Sequence, residues 1–172
     1  MTKDEILNKC TWTTNEIGEF TAYSDFFKSD VEIFILLDVN LERTLTDRMV
    51  LSVNDFLNLS DEYKPLMAEL LYKHCVKCCE EASYGFESKD GETLAETNLR
   101  EFGVSNKDDA FNKANLESIN INDDEMGERT NRYVEICLSP EWEEEHGCSL
   151  VLKNGVLLDY CGERDPYLND FE

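Results

Sequence analysis

The feature that most constrains this chain is Asn154-Gly155, set between two apolar runs at residues 148–153 and 156–161. A two-residue hairpin loop of type I′ needs positive φ at both central positions, and Asn-Gly is the pair that tolerates it best. The turn fixes a register. Lys153 faces Val156, Leu152 faces Leu157, Leu150 faces Asp159 and Cys148 faces Cys161. Both faces of this hairpin are apolar: Ser149, Val151, Leu158 and Tyr160 stand against Cys148, Leu150, Leu157 and Cys161. A hairpin with one solvated face alternates more sharply, so the pattern predicts a central position in a sheet or cover on both sides. Counting outward from the turn places Cys148 and Cys161 at a non-hydrogen-bonded pair, where side chains approach most closely. A disulfide fits there geometrically; in a reducing compartment the same pair stays as two neighbouring thiols.

The segment before the hairpin adds a third strand. Val134, Ile136 and Leu138 alternate with Tyr133, Glu135 and Cys137, so residues 131–162 read as a β-meander. Near the N-terminus, residues 19–23 alternate, and Val31, Ile33, Ile35 and Leu37 alternate with Glu32, Phe34, Leu36 and Asp38. Lys28-Ser29-Asp30 marks the turn between them. Met49-Val50-Leu51-Ser52-Val53 reads as a third N-terminal strand or as the lead into a helix. Residues 10–60 are therefore assigned mainly to strands.

The main helix is expected over residues 61–84. Ser60 and Asp61 cap its start and Pro65 lies in the first turn, where a missing N–H does no harm. Leu66, Met67, Leu70, Leu71, Cys75, Cys78 and Ala82 form one stripe at helical spacing, and Gly85 supplies a stop. Residues 86–130 are the least patterned and read as an irregular segment. Residues 93–102 and 107–112 suggest short helices within it, and Leu116, Ile119 and Ile121 a strand, ahead of the acidic loop at residues 122–127. Strands, helix, irregular segment and strands in that order predict one α+β domain over residues 1–172, with antiparallel sheet, one principal packed helix and a C-terminal β-meander.

Charge narrows the partner class. The chain has 38 Asp and Glu against 16 Lys and Arg, a formal charge of −22, yet 41% of its residues are hydrophobic, enough for a core. Phosphate recognition needs a basic face, so nucleic acid is not expected as a ligand, and an anionic membrane surface is disfavoured in the same way. A basic protein partner is favoured by opposite fields; solubility alone is the simpler account of the same charge. The longest apolar run, residues 33–37, is too short to span a bilayer, and the N-terminus has no basic leader before an apolar stretch. Seven irregularly spaced Cys then point to free thiols and a cytoplasmic location.

Three clusters offer chemistry. In residues 139–147, Glu141, Trp142, Glu143, Glu144, Glu145, His146 and Gly147 join two strands. They read either as a Glu–His acid/base pair walled by Trp142, or as a structural turn that Trp142 anchors to the core while Gly147 turns the chain into the next strand. No nucleophile is tied to the cluster by spacing, which favours the turn. In residues 74–79, Cys75 and Cys78 have CxxC spacing with His74 one turn before Cys78. A second ligand pair at matched spacing is missing, so core packing is expected and no metal or cofactor is assigned. Asn120, Asn122 and Asp124 have the opening spacing of a calcium loop. Glu125 stands where its glycine belongs and Asn131 where its last carboxylate belongs, so that motif fails.

Tyr133-Val134-Glu135-Ile136, then Trp142-Glu143-Glu144-Glu145-His146-Gly147, then a hairpin ending near Gly162, resembles a family of uncharacterised bacterial proteins with a Trp-acidic-His-Gly motif. Relatives of that sort are often met beside polymorphic toxin genes, so the resemblance implies a small α+β module with an immunity or accessory role. It implies no catalytic residue, and Cys148 departs from it where an aliphatic residue is expected.

The sequence reading is an acidic, non-enzymatic protein-binding module whose concrete form is immunity-type neutralisation of a basic toxin. Its binding rim would be Glu141, Glu143, Glu144, His146, Glu163 and Asp165, with Trp142 or Tyr167 as aromatic anchor. The alternative is a hydrolase or metal-dependent enzyme using His146 with Glu143 or Glu145, which requires His146 in a concave site.

Overall fold

Asn154 and Gly155 have φ of 51° and 81°, so the hairpin closes with both central residues left-handed, as its sequence requires. The computed structural model describes residues 1–14, 16–37, 45–122 and 129–172. Asp38 and the acids Asp123, Asp124 and Glu125 of the calcium-like loop lie outside the described residues.

Seven strands form one sheet in chain order: β1 (Thr11–Trp12), β2 (Ile17–Ser24), β3 (Ser29–Leu36), β4 (Ala114–Asn122), β5 (Tyr133–Pro140), β6 (Cys148–Lys153) and β7 (Val156–Gly162). The sheet is mostly antiparallel and the fold is α+β. One neighbouring pair departs from the antiparallel pattern, since β3 and β4 run parallel. Parallel neighbours need a long crossover, and the chain supplies one between residues 37 and 113. That crossover carries α2 (Asp47–Leu57), α3 (Lys64–Glu81), α4 (Leu94–Phe102) and α5 (Lys107–Lys113); α1 (Lys3–Lys9) precedes the sheet.

Two sequence expectations change here. Residues 49–53 belong to α2, not to a third strand. Thr46 caps this helix by accepting from the Met49 N–H, and Met49, Ser52, Val53 and Phe56 are buried at helical spacing. Residues 86–130 are not irregular as a whole, because they contain α4, α5 and the central strand β4. Gly103, at φ 64°, ends α4.

The principal helix stands near its expected place. Ser60 caps a short 3₁₀ turn, Asp61–Tyr63, which leads into α3 with Pro65 in its first turn. Met67, Leu70, Leu71, Cys75 and Cys79 are buried; Cys79, rather than Cys78, continues the core stripe. The helix ends at Glu81, with Ala82 as its cap three residues before Gly85, and the Asn98 side chain donates to the Cys79 and Ala82 carbonyls. Helices and one sheet face share a core that includes Ile33, Ile35, Phe56, Leu71, Ile119, Ile136 and Leu150. The second face of β5 and β6 is covered by the C-terminal tail, where Leu168 and Phe171 pack with Tyr133 and Val151. That is the cover on both sides that the hairpin pattern calls for. Among the described residues, no helix is long and apolar enough to cross a membrane.

The hairpin register departs from the sequence reading beyond its first two pairs. Lys153 pairs with Val156 and Leu152 with Leu157 as expected, but Leu150 then faces Cys161 and Ser149 faces Gly162. A bulge on β7 places additional residues between Leu157 and Cys161. Cys148 therefore does not face Cys161 directly across the ladder. Cys161 sits diagonal to it on the core face, and all seven cysteines are free thiols.

Candidate functional site

A cleft of about 500 Å³ separates α3 from β7. One wall is a single stripe of α3. Leu70, Lys73, His74, Lys77, Cys78 and Glu81 recur at spacings of three and four, so they share one helix face. The opposite wall is the bulged end of β7, Asp159 to Gly162, continued by Glu163. The loop between β5 and β6 closes one end with Glu143, His146 and Gly147. β7 is the last strand of the sheet, so its outer edge is unpaired among the described strands.

Trp142 holds that loop in place. Its side chain is fully buried, its indole N–H donates to Nδ1 of His74 at 3.1 Å, and Tyr84 donates to its carbonyl at 2.7 Å. Gly147 then turns the chain into β6 at φ 64°, with the Arg164 guanidinium packed where a Cβ would stand. Arg164 in turn pairs with Glu117 and donates to the Leu138 carbonyl. This is the structural-turn reading of residues 139–147, and it corrects Trp142 as a partner anchor, because a buried ring presents no surface to a partner.

An imidazole and thiols gather at the floor of the cleft, where His74, Cys78 and Cys161 line it and Cys148 is buried just beneath. The ligand atoms of His74, Cys148 and Cys161 lie within 4.8 Å of one another. Cys78 Sγ is 3.8 Å from both ring nitrogens of His74 and 3.9 Å from Oε2 of Glu143. Burial pushes the His74 pKa below the usual imidazole value, partly offset by the Glu143 carboxylate, so its neutral form is favoured. Burial, then Glu143, pushes the Cys78 thiol up to about 12. The Cys161 thiol is raised by its hydrogen bond with Cys148 and by burial.

The CxxC spacing does not bring Cys75 and Cys78 together as a site. Cys75 is buried in the core, while Cys78 lines the cleft. The thiols brought beside His74 are instead Cys148 and Cys161, supplied by the hairpin from the far end of the chain. The α3 stripe beside the buried one was the available signal.

The expected acidic rim is only partly assembled. Glu143 and Glu163 line the cleft, as does His146, whose Nδ1 is 3.2 Å from Oε1 of Glu143. Glu144 is exposed outside the cleft lining. Glu141 pairs with Lys113 at 2.8 Å. Asp165 and Tyr167 lie on the tail that crosses the other face of the sheet, where the Asp165 N–H donates to the buried Glu135 carboxylate at 2.9 Å; Tyr167 stays 68% exposed. Asp159 and Glu81, which the sequence reading did not place in the rim, join the acids of the cleft. Among the described residues, no hydroxyl or thiol hydrogen-bonds His146.

Over residues 3–168 the chain matches the family described as Domain of unknown function (DUF6985), and it belongs to that family. No curated protein and no solved structure matches it.

Proposed function

We propose that this DUF6985 protein is a non-enzymatic binding module. It takes an extended, basic segment of another protein along the outer edge of β7 and into the cleft beside α3. The observation that carries the reading is the coincidence of an unpaired strand edge with an acid-lined cleft: β7 ends the sheet, and Glu81, Glu143, Asp159 and Glu163 stand around the same opening. An edge strand offers a row of free N–H and C=O groups to an incoming strand. Alternate side chains of that strand would point into the cleft, where Lys or Arg meets the carboxylates. The charge of −22 speeds the encounter with a basic partner. In its concrete form the partner is a basic toxin that the protein neutralises in the cytoplasm.

The test is binding of a short peptide alternating Lys with Val, followed by fluorescence anisotropy, against a peptide alternating Glu with Val. The Lys peptide binds, its affinity falls steeply with salt, and charge reversal at Asp159 and Glu163 together weakens it by about tenfold or more. Equal binding of both peptides, or binding indifferent to that double reversal, contradicts the reading.

One observation favours a second reading. The hydrogen-bonded pair of His146 and Glu143 lies in the concave site that a hydrolase or metal-dependent enzyme would need. The absence of a nucleophile bonded to His146 among the described residues keeps that reading second.

A further inference from the structure

We propose that His74, Cys148 and Cys161 bind one thiophilic d¹⁰ cation, Zn²⁺, on the floor of the cleft, with Cys78 closing the set as fourth donor. The inference does not depend on the peptide-binding reading, because it concerns the thiols beneath the carboxylates.

Three donors from three separate elements meet here. His74 is in the middle of α3, Cys148 opens β6 and Cys161 is near the end of β7. Their ligand atoms already lie within 4.8 Å of one another. Tetrahedral zinc with sulfur bonds of about 2.3 Å holds its sulfurs about 3.7 Å apart, so a contraction of roughly 1 Å at most completes the site. Cys78 is one helical turn beyond His74, with its sulfur 3.8 Å from the imidazole. It faces the cleft beside His74, which makes it the donor nearest at hand for the fourth position.

The donors select the ion. Two or three thiolates and an imidazole are soft and borderline ligands that suit zinc and exclude calcium and magnesium, which need oxygen. A cation held by three thiolates leaves the centre with a net negative charge, and Lys73 and Lys77, the two lysines of an otherwise acidic cleft, stand on the same helix face as His74 and Cys78.

Trp142 makes binding observable. Its indole N–H, a donor only, occupies Nδ1 of His74, so the neutral ring carries its proton on Nε2. Coordination through Nε2 moves that proton to Nδ1 and breaks the Trp142 hydrogen bond; each coordinating thiol releases its proton to solvent. One buried hydrogen bond is exchanged for a set of coordinate bonds.

The experiment titrates the reduced, chelator-treated full chain with Co²⁺ and then Zn²⁺. One Co²⁺ binds per chain with thiolate-to-cobalt charge-transfer absorption, and Zn²⁺ displaces it. In a Trp12→Phe background, Trp142 emission changes in step. Cys161→Ser weakens binding by more than the roughly 10–100-fold that follows loss of a supporting partner alone, whereas Cys137→Ser leaves it unchanged. In the unmodified chain, Zn²⁺ shields Cys78 and Cys161, the two thiols that line the cleft, from alkylation while Cys10 reacts as before, a readout that no variant's folding can confound. Absence of the charge-transfer band, a band that survives Cys161→Ser in a folded chain, or zinc that fails to protect Cys78 and Cys161 overturns the proposal.

Discussion

The indole N–H of Trp142 and Nδ1 of His74 are 3.1 Å apart, and this one hydrogen bond ties the loop between β5 and β6 to the middle of α3. The loop forms the end of the cleft and α3 forms a wall, so a core contact sets the shape of the surface site. Trp142 is fully buried and Tyr167 is 68% exposed, although both aromatics lie within two residues of an acid in the sequence.

That contrast predicts unequal stabilities. Trp142→Ala removes a large core side chain and leaves His74 without its donor, and is expected to cost about 3–5 kcal/mol. Tyr167→Ala is expected within about 0.5 kcal/mol of the parent. Urea denaturation followed by circular dichroism measures both. A Trp142→Ala loss below that of Tyr167→Ala would remove the anchoring role.

Gly147 and Arg164 form a coupled pair. Gly147→Ala places a methyl group where the Arg164 guanidinium packs and forces a left-handed alanine, whose backbone strain alone is about 1–2 kcal/mol. In an Arg164→Ala background the steric part is gone and only the strain remains. A double-mutant cycle should therefore show strong coupling; additive effects would mean that Arg164 yields without loss.

The turn between β6 and β7 carries a smaller penalty. Gly155 has φ 81°, and a Cβ there would come 3.2 Å from Oδ1 of Asp55. Asp55 itself pairs with Arg132 at 2.9 Å. Gly155→Ala is expected to cost about 1–2 kcal/mol, mostly strain, and Gly155→Asn less, since Asn visits the left-handed region more readily. Thermal unfolding of the two variants tests the order.

Glu92 provides an acid-sensitive contact. Hydrogen bonds from Arg100 and the Lys89 N–H hold its carboxyl down to about 2, with Arg100 Nε 2.9 Å away. The native state therefore binds the proton less readily than the unfolded chain. The stabilisation is present above the ordinary carboxylate range and is lost as pH falls from there toward about 2. Glu92→Gln should lower the urea midpoint at neutral pH, with the gap from the parent narrowing on acidification. A gap independent of pH would assign the effect to something other than ionisation.

Much of the fold follows from short-range patterns. Asn154-Gly155 specifies the hairpin, the alternation of Val31, Ile33 and Ile35 specifies β3, and the Ser60-to-Pro65 signal starts α3. What escaped has identifiable causes. Residues 49–53 are apolar at too many positions to show a period by themselves, and the helix becomes clear only when Thr46 as cap and the buried spacing of Met49, Val53 and Phe56 are taken together. The parallel pairing of β3 with β4 is a long-range choice that neither strand encodes by itself. The bulge on β7 leaves no Gly or Pro signal inside residues 158–160, and missing it misplaces Cys161 against Cys148.

The site was less legible than the fold for the same reason. Glu143 and His146 were found because they crowd one stretch of sequence near a turn, and Glu163 because it leaves the last strand beside an acidic tail. Trp142 shares that stretch, but its side chain points the other way. His74 and Cys78 sit on α3 beside the core stripe, and their partnership with Cys148 and Cys161 exists only after the hairpin docks on the helix.

The most direct test of the central claim is amide hydrogen exchange along β7 with and without the Lys–Val peptide. Strand addition predicts new protection at alternate amides between residues 157 and 162, produced by the Lys peptide, absent with the Glu peptide and removed by high salt. Protection confined to other elements, or binding of the Lys peptide that leaves the β7 edge exchanging as before, would contradict it.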